Sequence, residues 1–156
     1  MLPRITRSRT ERRLPTCSSS INPLFFSGLE LEPGEADNGR LEVHEILGLR
    51  LDADLVTLSA CETALGGGHV AEVPAGDDIV GLTRAFLAAG SRSVLATLWE
   101  VNDRSTLRLM RRFYRDRARV GTAGSLAAAQ RELRHGSDRY RHPYFWAPFV
   151  LVGDMS

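Results

Sequence analysis

Two short apolar runs, separated by one helical segment, constrain the fold of this chain most. The first run is ADLVTLSA at residues 53–60 and the second is SRSVLATLW at residues 91–99, and each has apolar side chains on both faces. Such runs are typical of parallel strands buried between helices. Between them, GDDIVGLTRAFLAAG at residues 76–90 has apolar residues at helical spacing and ends on a glycine. The pattern predicts a strand, a buried helix with Asp77 or Asp78 as its N-cap, and a second strand.

Two further helices and a strand are predicted after the second run. NDRSTLRLMRRFYRDRARV at residues 102–120 reads as a capped amphipathic helix, and SLAAAQRELR at residues 125–134 as another. The apolar stripe of the first of these helices is expected to contain Leu107, Met110, Phe113 and Tyr114. Its arginines fall mostly outside that stripe, which favours a solvated face over a surface for an acidic partner. The last strand is predicted at residues 149–152, with Pro148 at its entry.

The residues before the first run are richer in turn signals. They predict a short strand at residues 29–31 and a short helix at residues 41–49 closed by Gly48. In chain order, the strands and helices with clear sequence patterns alternate as in an α/β fold with a parallel sheet. Only three strong strands can be read, fewer than a sheet covered by helices on both faces usually has. We therefore expect that part of the sheet is missing.

Composition narrows the function classes. With 156 residues and 43% apolar content the chain can form one globular unit. Residues 1–20 carry five arginines and lack periodicity, which predicts a disordered or unrelated arm, whereas the rest is mildly acidic and predicts no nucleic-acid partner. No signal peptide or long apolar span is present, so we expect a cytoplasmic protein with no membrane partner. All twenty basic residues are arginine, which suggests a GC-rich bacterial source.

Cys61 is the candidate nucleophile. It lies in LVTLSACETALGGG at residues 55–68, directly after a predicted parallel strand, where functional groups of α/β sheets collect. A thiol needs a base or a positive field to react as a thiolate, and a small buried thiol is the alternative interpretation. The glycines lack the Gly-Lys-Ser/Thr ending of a phosphate loop, and no Cys/His group has zinc spacing. No cofactor or metal is expected.

Several linked motifs resemble one known family. LVTLSACETALG, GDDIVGLTRAFLAAGSRSVLATLWEVND, LMRRFYR and HPYFWAPFVLVGD occur in the same order in the CHAT domain, a caspase-like cysteine peptidase family found beside tetratricopeptide repeats. The resemblance covers about residues 21–154. It implies a caspase-like three-layer α/β/α sandwich with a mostly parallel sheet, Cys61 as nucleophile of a His–Cys dyad, a protein or peptide substrate, and a possible tetratricopeptide-repeat partner.

The sequence departs from the family upstream of Asn22. The family has a His-Gly dipeptide shortly before this segment, but RTERRLPTCSSSI at residues 9–21 contains no histidine. The expectation is the C-terminal half of a CHAT domain at residues 21–154, lacking the N-terminal strands, behind an unrelated, truncated or out-of-frame segment. Such a chain is predicted to be inactive alone. The alternatives are a peptide- or protein-interaction module that does not cleave, or a truncated remnant.

No other histidine matches the family's catalytic position. His69, near Cys61 in sequence, is the weak candidate for a substitute base. His44 is expected at the surface, His135 as a cation at a helix C-terminus, and His142 as a residue shaping the turn into the last strand. Because a general base must lie within hydrogen-bond reach of the group it deprotonates, sequence alone assigns this role to none of them.

Three acids flank the candidate nucleophile loop. Caspase-like relatives often use nearby acids to select a basic residue before the scissile bond, which makes Glu62, Asp77 and Asp78 candidates for substrate binding. Helix capping is the competing role for Asp77 and Asp78. For Glu62 the sequence does not decide between substrate binding and a structural role.

Overall fold

A computed structural model of the chain describes residues 28–32, 39–58, 75–136 and 138–155. The described strands are β1 Gly28–Glu30, β2 Arg40–Glu42, β3 Val56–Leu58, β4 Ser93–Thr97 and β5 Phe149–Gly153. The helices are α1 Val43–Ile46, α2 Ala75–Ala88 and α3 Asp103–His135, and 3-10 helices span Asp138–Tyr140 and Pro143–Phe145. Strands β1 and β2 form an antiparallel pair, and β3, β4 and β5 form a second sheet in that order. The mixture of helices and strands confirms the predicted α/β class.

The three-stranded sheet is mixed rather than mostly parallel among the described strands. Strand β3 runs parallel to β4, with Val56 opposite Val94, as the two apolar runs predicted. Strand β5 runs antiparallel to β4, with Thr97 opposite Phe149. The direction of β5 therefore departs from the expectation of a parallel sheet.

The turn at Gly121 explains that direction. Gly121 lies inside α3 with φ 74° and ψ 171°, a backbone conformation that glycine adopts more readily than any other residue. It divides α3 into two halves that run in opposite directions, so the chain returns to the end of the sheet where β4 finished. The side chain of Gln130, in the second half, donates hydrogen bonds to the Trp146 and Phe149 carbonyls at 3.1 and 3.0 Å. Because two helical passes bring the chain back, the next strand must run antiparallel to β4.

Helices cover both faces of this sheet. Successive residues of a strand point to opposite faces, and Val94 and Leu95 of β4 are both fully buried in different clusters. Val94 packs with the apolar residues of α1 and α2. Leu95 packs with α3 and with Phe149 of β5. The central strand thus lies between two apolar cores.

The buried face of α3 differs from the predicted stripe. Leu109 and Phe113 are fully buried, whereas Leu107 and Tyr114 are 52% and 51% exposed. The buried residues before Gly121 are spaced by four, four and three positions, namely Ser105, Leu109, Phe113 and Asp116. The predicted stripe omitted Leu109 and Ser105, because Leu107, Met110 and Phe113 are also apolar residues at helical spacing and indicated a neighbouring face of the same helix. Tyr114 nevertheless contacts β3, since its hydroxyl shares a 2.7 Å hydrogen bond with the Thr57 hydroxyl.

The first predicted elements are shifted or shortened. Strand β1 begins one residue earlier than expected, and the helix expected at residues 41–49 spans only Val43–Ile46. Glu42 caps that helix in a reciprocal capping box with Glu45, and its backbone nitrogen donates to Glu45 Oε2 at 2.8 Å. Residues 40–42 therefore pair with β1 as a strand before the helix starts. No helix within the described residues is long and apolar enough to cross a bilayer.

Candidate active site

The candidate site starts from the end of the sheet where β3 and β4 finish, here called the carboxyl edge. Because the two strands are parallel, their last residues meet there, with Leu58 opposite Ala96. Strand β5 begins at the same edge, with Phe149 opposite Thr97. Cys61 is three residues beyond Leu58 in sequence. Cys61, Glu62 and His69 lie outside the described residues, so their roles remain predictions.

Helix α2 begins three or four residues earlier than predicted, since an N-cap at Asp77 or Asp78 makes Asp78 or Ile79 the first helical residue. It starts at Ala75, which places Asp77 and Asp78 in its first turn rather than at the N-cap. The expectation that one of them is the N-cap was therefore wrong, because Ala75 and Gly76 already have helical backbone. A role for these acids in selecting a basic residue of the substrate remains a prediction.

Exposed aromatic and aliphatic side chains mark the carboxyl edge. Leu98 and Trp99 follow β4 and are 46% and 39% exposed, and Tyr144 in the second 3-10 helix is 44% exposed. The Trp99 indole donates a 3.1 Å hydrogen bond to the Tyr144 carbonyl. The Tyr144 ring also packs edge-on against Phe145, with centroids 5.4 Å apart. These contacts hold large side chains in place at the edge while leaving them accessible to another molecule.

Asn102 fixes the end of the loop that carries Trp99. Its side-chain oxygen accepts hydrogen bonds from the backbone nitrogens of Arg104 at 3.2 Å and Ser105 at 3.3 Å, which caps α3. We expect Asn102→Ala to lower the free energy of unfolding by about 1 kcal/mol, because two helical donors lose their acceptor. Asn102→Asp retains the acceptor and should cost much less. Urea unfolding followed by circular dichroism measures both, and equal losses would contradict the cap assignment.

The three histidines within the described residues lie at a turn, at the surface and at a helix end. His142 Nδ1 accepts a 3.2 Å hydrogen bond from the Tyr144 backbone nitrogen, which caps the second 3-10 helix and confirms that His142 shapes the turn before β5. His44 is exposed, and its Nδ1 lies 3.2 Å from Glu42 Oε2. His135 is in the last turn of α3, which confirms its predicted position at a helix C-terminus.

A cavity of about 500 Å³ lies at the other end of the sheet. Arg92 lines it and contacts two acids, Asp154 Oδ2 at 2.8 Å and Asp54 Oδ1 at 3.4 Å. The hydrogen bond with Asp154 raises the pKa of Arg92 above its ordinary value. This ion-pair cluster is about 15 Å from the carboxyl edge, the length of a five-residue strand. Sequence reasoning missed it, although each member stands just outside a strand, which is the signal that could have found it.

Comparison with known proteins agrees with the motifs. The family profile described as CHAT domain matches residues 16–154. The chain is 35% identical over 113 residues to Tetratricopeptide repeat protein 28 of Mus musculus, and 31% identical over 113 residues to the Homo sapiens protein of that name. The matched segment is 72% of this chain but 4% of each relative, so the chain spans a small part of their length. Both relatives are mammalian, and the bacterial source inferred from arginine usage remains a prediction. The chain belongs to the CHAT domain family.

Proposed function

We propose that this CHAT domain carries the nucleophile half of a caspase-like cysteine peptidase site, with Cys61 as the nucleophile. The observation that supports this most is the position of Leu58 at the carboxyl edge, directly before the Ser-Ala-Cys-Glu-Thr motif and three residues before Cys61. The helices on both faces of the sheet are consistent with a caspase-like three-layer sandwich. The substrate class proposed is a protein or peptide.

The chemistry requires a base that this sequence does not have at the family's position. In a cysteine peptidase, the thiolate attacks the peptide carbonyl carbon, and a histidine then gives a proton to the departing amine. The first histidine of this chain is His44, which comes after the segment where the His-Gly dipeptide is expected. We therefore propose that the 156-residue chain does not hydrolyse peptides by itself.

The proposed partner is based on the named relatives, and the proposed substrate preference is based on three acidic residues. Both relatives are named as tetratricopeptide repeat proteins, and we propose that this domain also acts beside such repeats. Glu62, Asp77 and Asp78 would favour substrates with arginine or lysine before the scissile bond. A cytoplasmic location is part of the same proposal.

Peptidase assays test this proposal directly. Fluorogenic peptides with arginine, lysine or aspartate before the reporter group are incubated with the wild-type chain, with Cys61→Ala, and with Cys17→Ser as a matched control that removes the other cysteine. We expect no turnover above the Cys61→Ala background for any of the three proteins. Turnover by the wild type and by Cys17→Ser that disappears in Cys61→Ala would overturn the proposed inactivity and would establish Cys61 as the nucleophile.

A second candidate function is peptide binding without cleavage. The observation that favours it is the exposed pair Trp99 and Tyr144, held by the indole hydrogen bond at the carboxyl edge. Fluorescence anisotropy measures whether the same peptides bind to the Cys61→Ala protein, which cannot cleave them through Cys61. Comparing Cys61→Ala with Cys61→Ala/Trp99→Ala distinguishes a peptide-binding module from a truncated remnant without function. Peptide binding that is weaker after Trp99→Ala would support a binding module. Equally weak binding with and without Trp99→Ala would favour a truncated remnant.

A further inference from the structure

Six arginines of α3 lie along one side of the helix before Gly121. They are Arg104, Arg108, Arg111, Arg112, Arg115 and Arg119. Their spacing of four, three, one, three and four residues places them within about 100° of the helix surface. We propose that this arginine face binds an acidic, leucine-containing segment of a partner protein.

Two arginines at one end of the face have no counter-charge among the described residues. Arg104 and Arg111 are exposed, and within the described parts of the chain neither forms an ion pair. By contrast, Arg112 Nε lies 2.8 Å from Asp116 Oδ2, an ion pair whose angle falls short of a hydrogen bond. Arg115 and Arg119 approach the same carboxylate at 3.4 and 3.9 Å. The end of the face nearest the N-terminus of α3 is therefore the part that can accept an external anion.

The balance of charge along the face supports an anionic partner. Like charges three or four residues apart lower helix stability, and the six arginines form several such pairs. Asp116 and Glu132 are the carboxylates that pair with them among the described residues. Because the arginines outnumber these acids, a bound carboxylate-rich segment would relieve the remaining repulsion.

One carboxylate already shows how the face receives an acid. Glu132, from the second half of α3, places Oε1 3.4 Å from Arg108 Nε and Oε2 3.6 Å from Arg112 Nε. A single glutamate thus reaches two guanidinium groups at once, which suits the forked donor geometry of arginine. Further glutamates of a partner could contact the neighbouring arginines in the same way.

An apolar side chain within the face favours a protein over a nucleic acid. A groove of about 340 Å³ runs along the arginines, and Leu107, which is 52% exposed, lines it. Proteins that bind single-stranded nucleic acid stack bases on aromatic side chains, whereas the described lining of this groove consists of arginines, Leu107 and Glu132. A leucine flanked by arginines matches a segment in which apolar residues alternate with acids.

Binding at the arginine face is separate from the proposed peptidase site and does not depend on it. The arginine face points away from Leu109 and Phe113, which α3 buries against the sheet. Its occupation requires neither Cys61 nor a catalytic histidine. A chain without peptidase activity could still bind this partner.

The test measures binding of a fluorescein-labelled, glutamate-rich peptide with leucines at helical spacing. Fluorescence anisotropy compares the wild-type chain with Arg104→Glu/Arg111→Glu and with Arg50→Glu/Arg84→Glu, which makes the same change in net charge at exposed sites off the face. We expect the first pair to weaken binding at least about tenfold and the control pair less than about threefold. Equal weakening by both pairs would overturn the proposal, because it would reflect net charge alone.

Further arms identify the class of partner and control for folding. Leu107→Ser should weaken peptide binding about threefold, because the contact of the groove with a leucine is lost. Circular dichroism checks that each variant is folded. If Arg104→Glu/Arg111→Glu loses helicity, Arg104→Gln/Arg111→Gln replaces it, and peptide affinity is then expected to fall about fivefold. A single-stranded DNA oligonucleotide, or phosphatidylserine vesicles, binding more tightly than the peptide would overturn the choice of a protein partner.

Discussion

Leu109→Ala is expected to lower the free energy of unfolding by about 3 kcal/mol, because it opens a cavity between α3 and the sheet. Leu109 is fully buried and packs in the same cluster as Leu95 of β4 and Phe149 of β5. Close-packed interiors relax only partly around a lost side chain, so the cost includes lost contacts as well as lost burial. Urea unfolding, followed by circular dichroism and tryptophan fluorescence, measures the change.

Leu107→Ala is the matched control for this prediction. It makes the same chemical change two residues away, at a side chain that is 52% exposed, and is expected to shift the free energy of unfolding by less than about 0.5 kcal/mol. The predicted apolar stripe included Leu107 and omitted Leu109, so the two variants distinguish that stripe from the observed one. Comparable losses in both would contradict the orientation of α3 described here.

Gly90→Ala is expected to cost about 3 kcal/mol as well, for a backbone reason. Gly90 follows α2 with φ 110°, a conformation that side chains rarely permit, and a Cβ there would collide with the Leu51 carbonyl oxygen. A 2.7 Å hydrogen bond from the Leu51 nitrogen to the Ala89 carbonyl holds the backbone at Leu51 close to Gly90. The chain between α2 and β4 would have to move before alanine could be accommodated.

Gly124→Ala provides the opposite expectation in the same experiment. At Gly124, in the second half of α3, an added Cβ would meet the Val120 side chain at 3.5 Å, which is ordinary van der Waals contact. Alanine should therefore raise the free energy of unfolding by about 0.7 kcal/mol, since it favours the helix over the unfolded chain. A destabilisation at Gly124 as large as that at Gly90 would contradict the conformations assigned to both glycines.

The elements of the fold that sequence predicted well are those with strong local signals. The strand at β4, the end of the helix before Gly90 and the last strand after Pro148 were each predicted within about two residues, the usual uncertainty of element boundaries. Apolar runs and glycine stops depend on nearby residues alone. The antiparallel direction of β5 depended instead on the turn at Gly121, whose effect appears only when the two helical passes are followed through space.

For the candidate site, the sequence predicted the family motif but not the residues that the fold brings close to it. The motif around Cys61 identified the family from sequence, and the profile match confirmed it. The neighbours that only the fold brings to the carboxyl edge, such as Trp99 and Tyr144, are 45 residues apart and share no sequence signal. The charge cluster of Arg92 was missed because Asp54 and Asp154 come from distant parts of the chain, although the position of each member just outside a strand was a sequence signal.

The position of β4 between two cores also governs how this part of the protein unfolds. Val94 belongs to one core and Leu95 to the other, so a slip of β4 by one residue would exchange their faces and disrupt both. Neither helical layer can loosen from the sheet without weakening the register that the other layer needs. We therefore expect the two layers to be lost together, in a single cooperative transition.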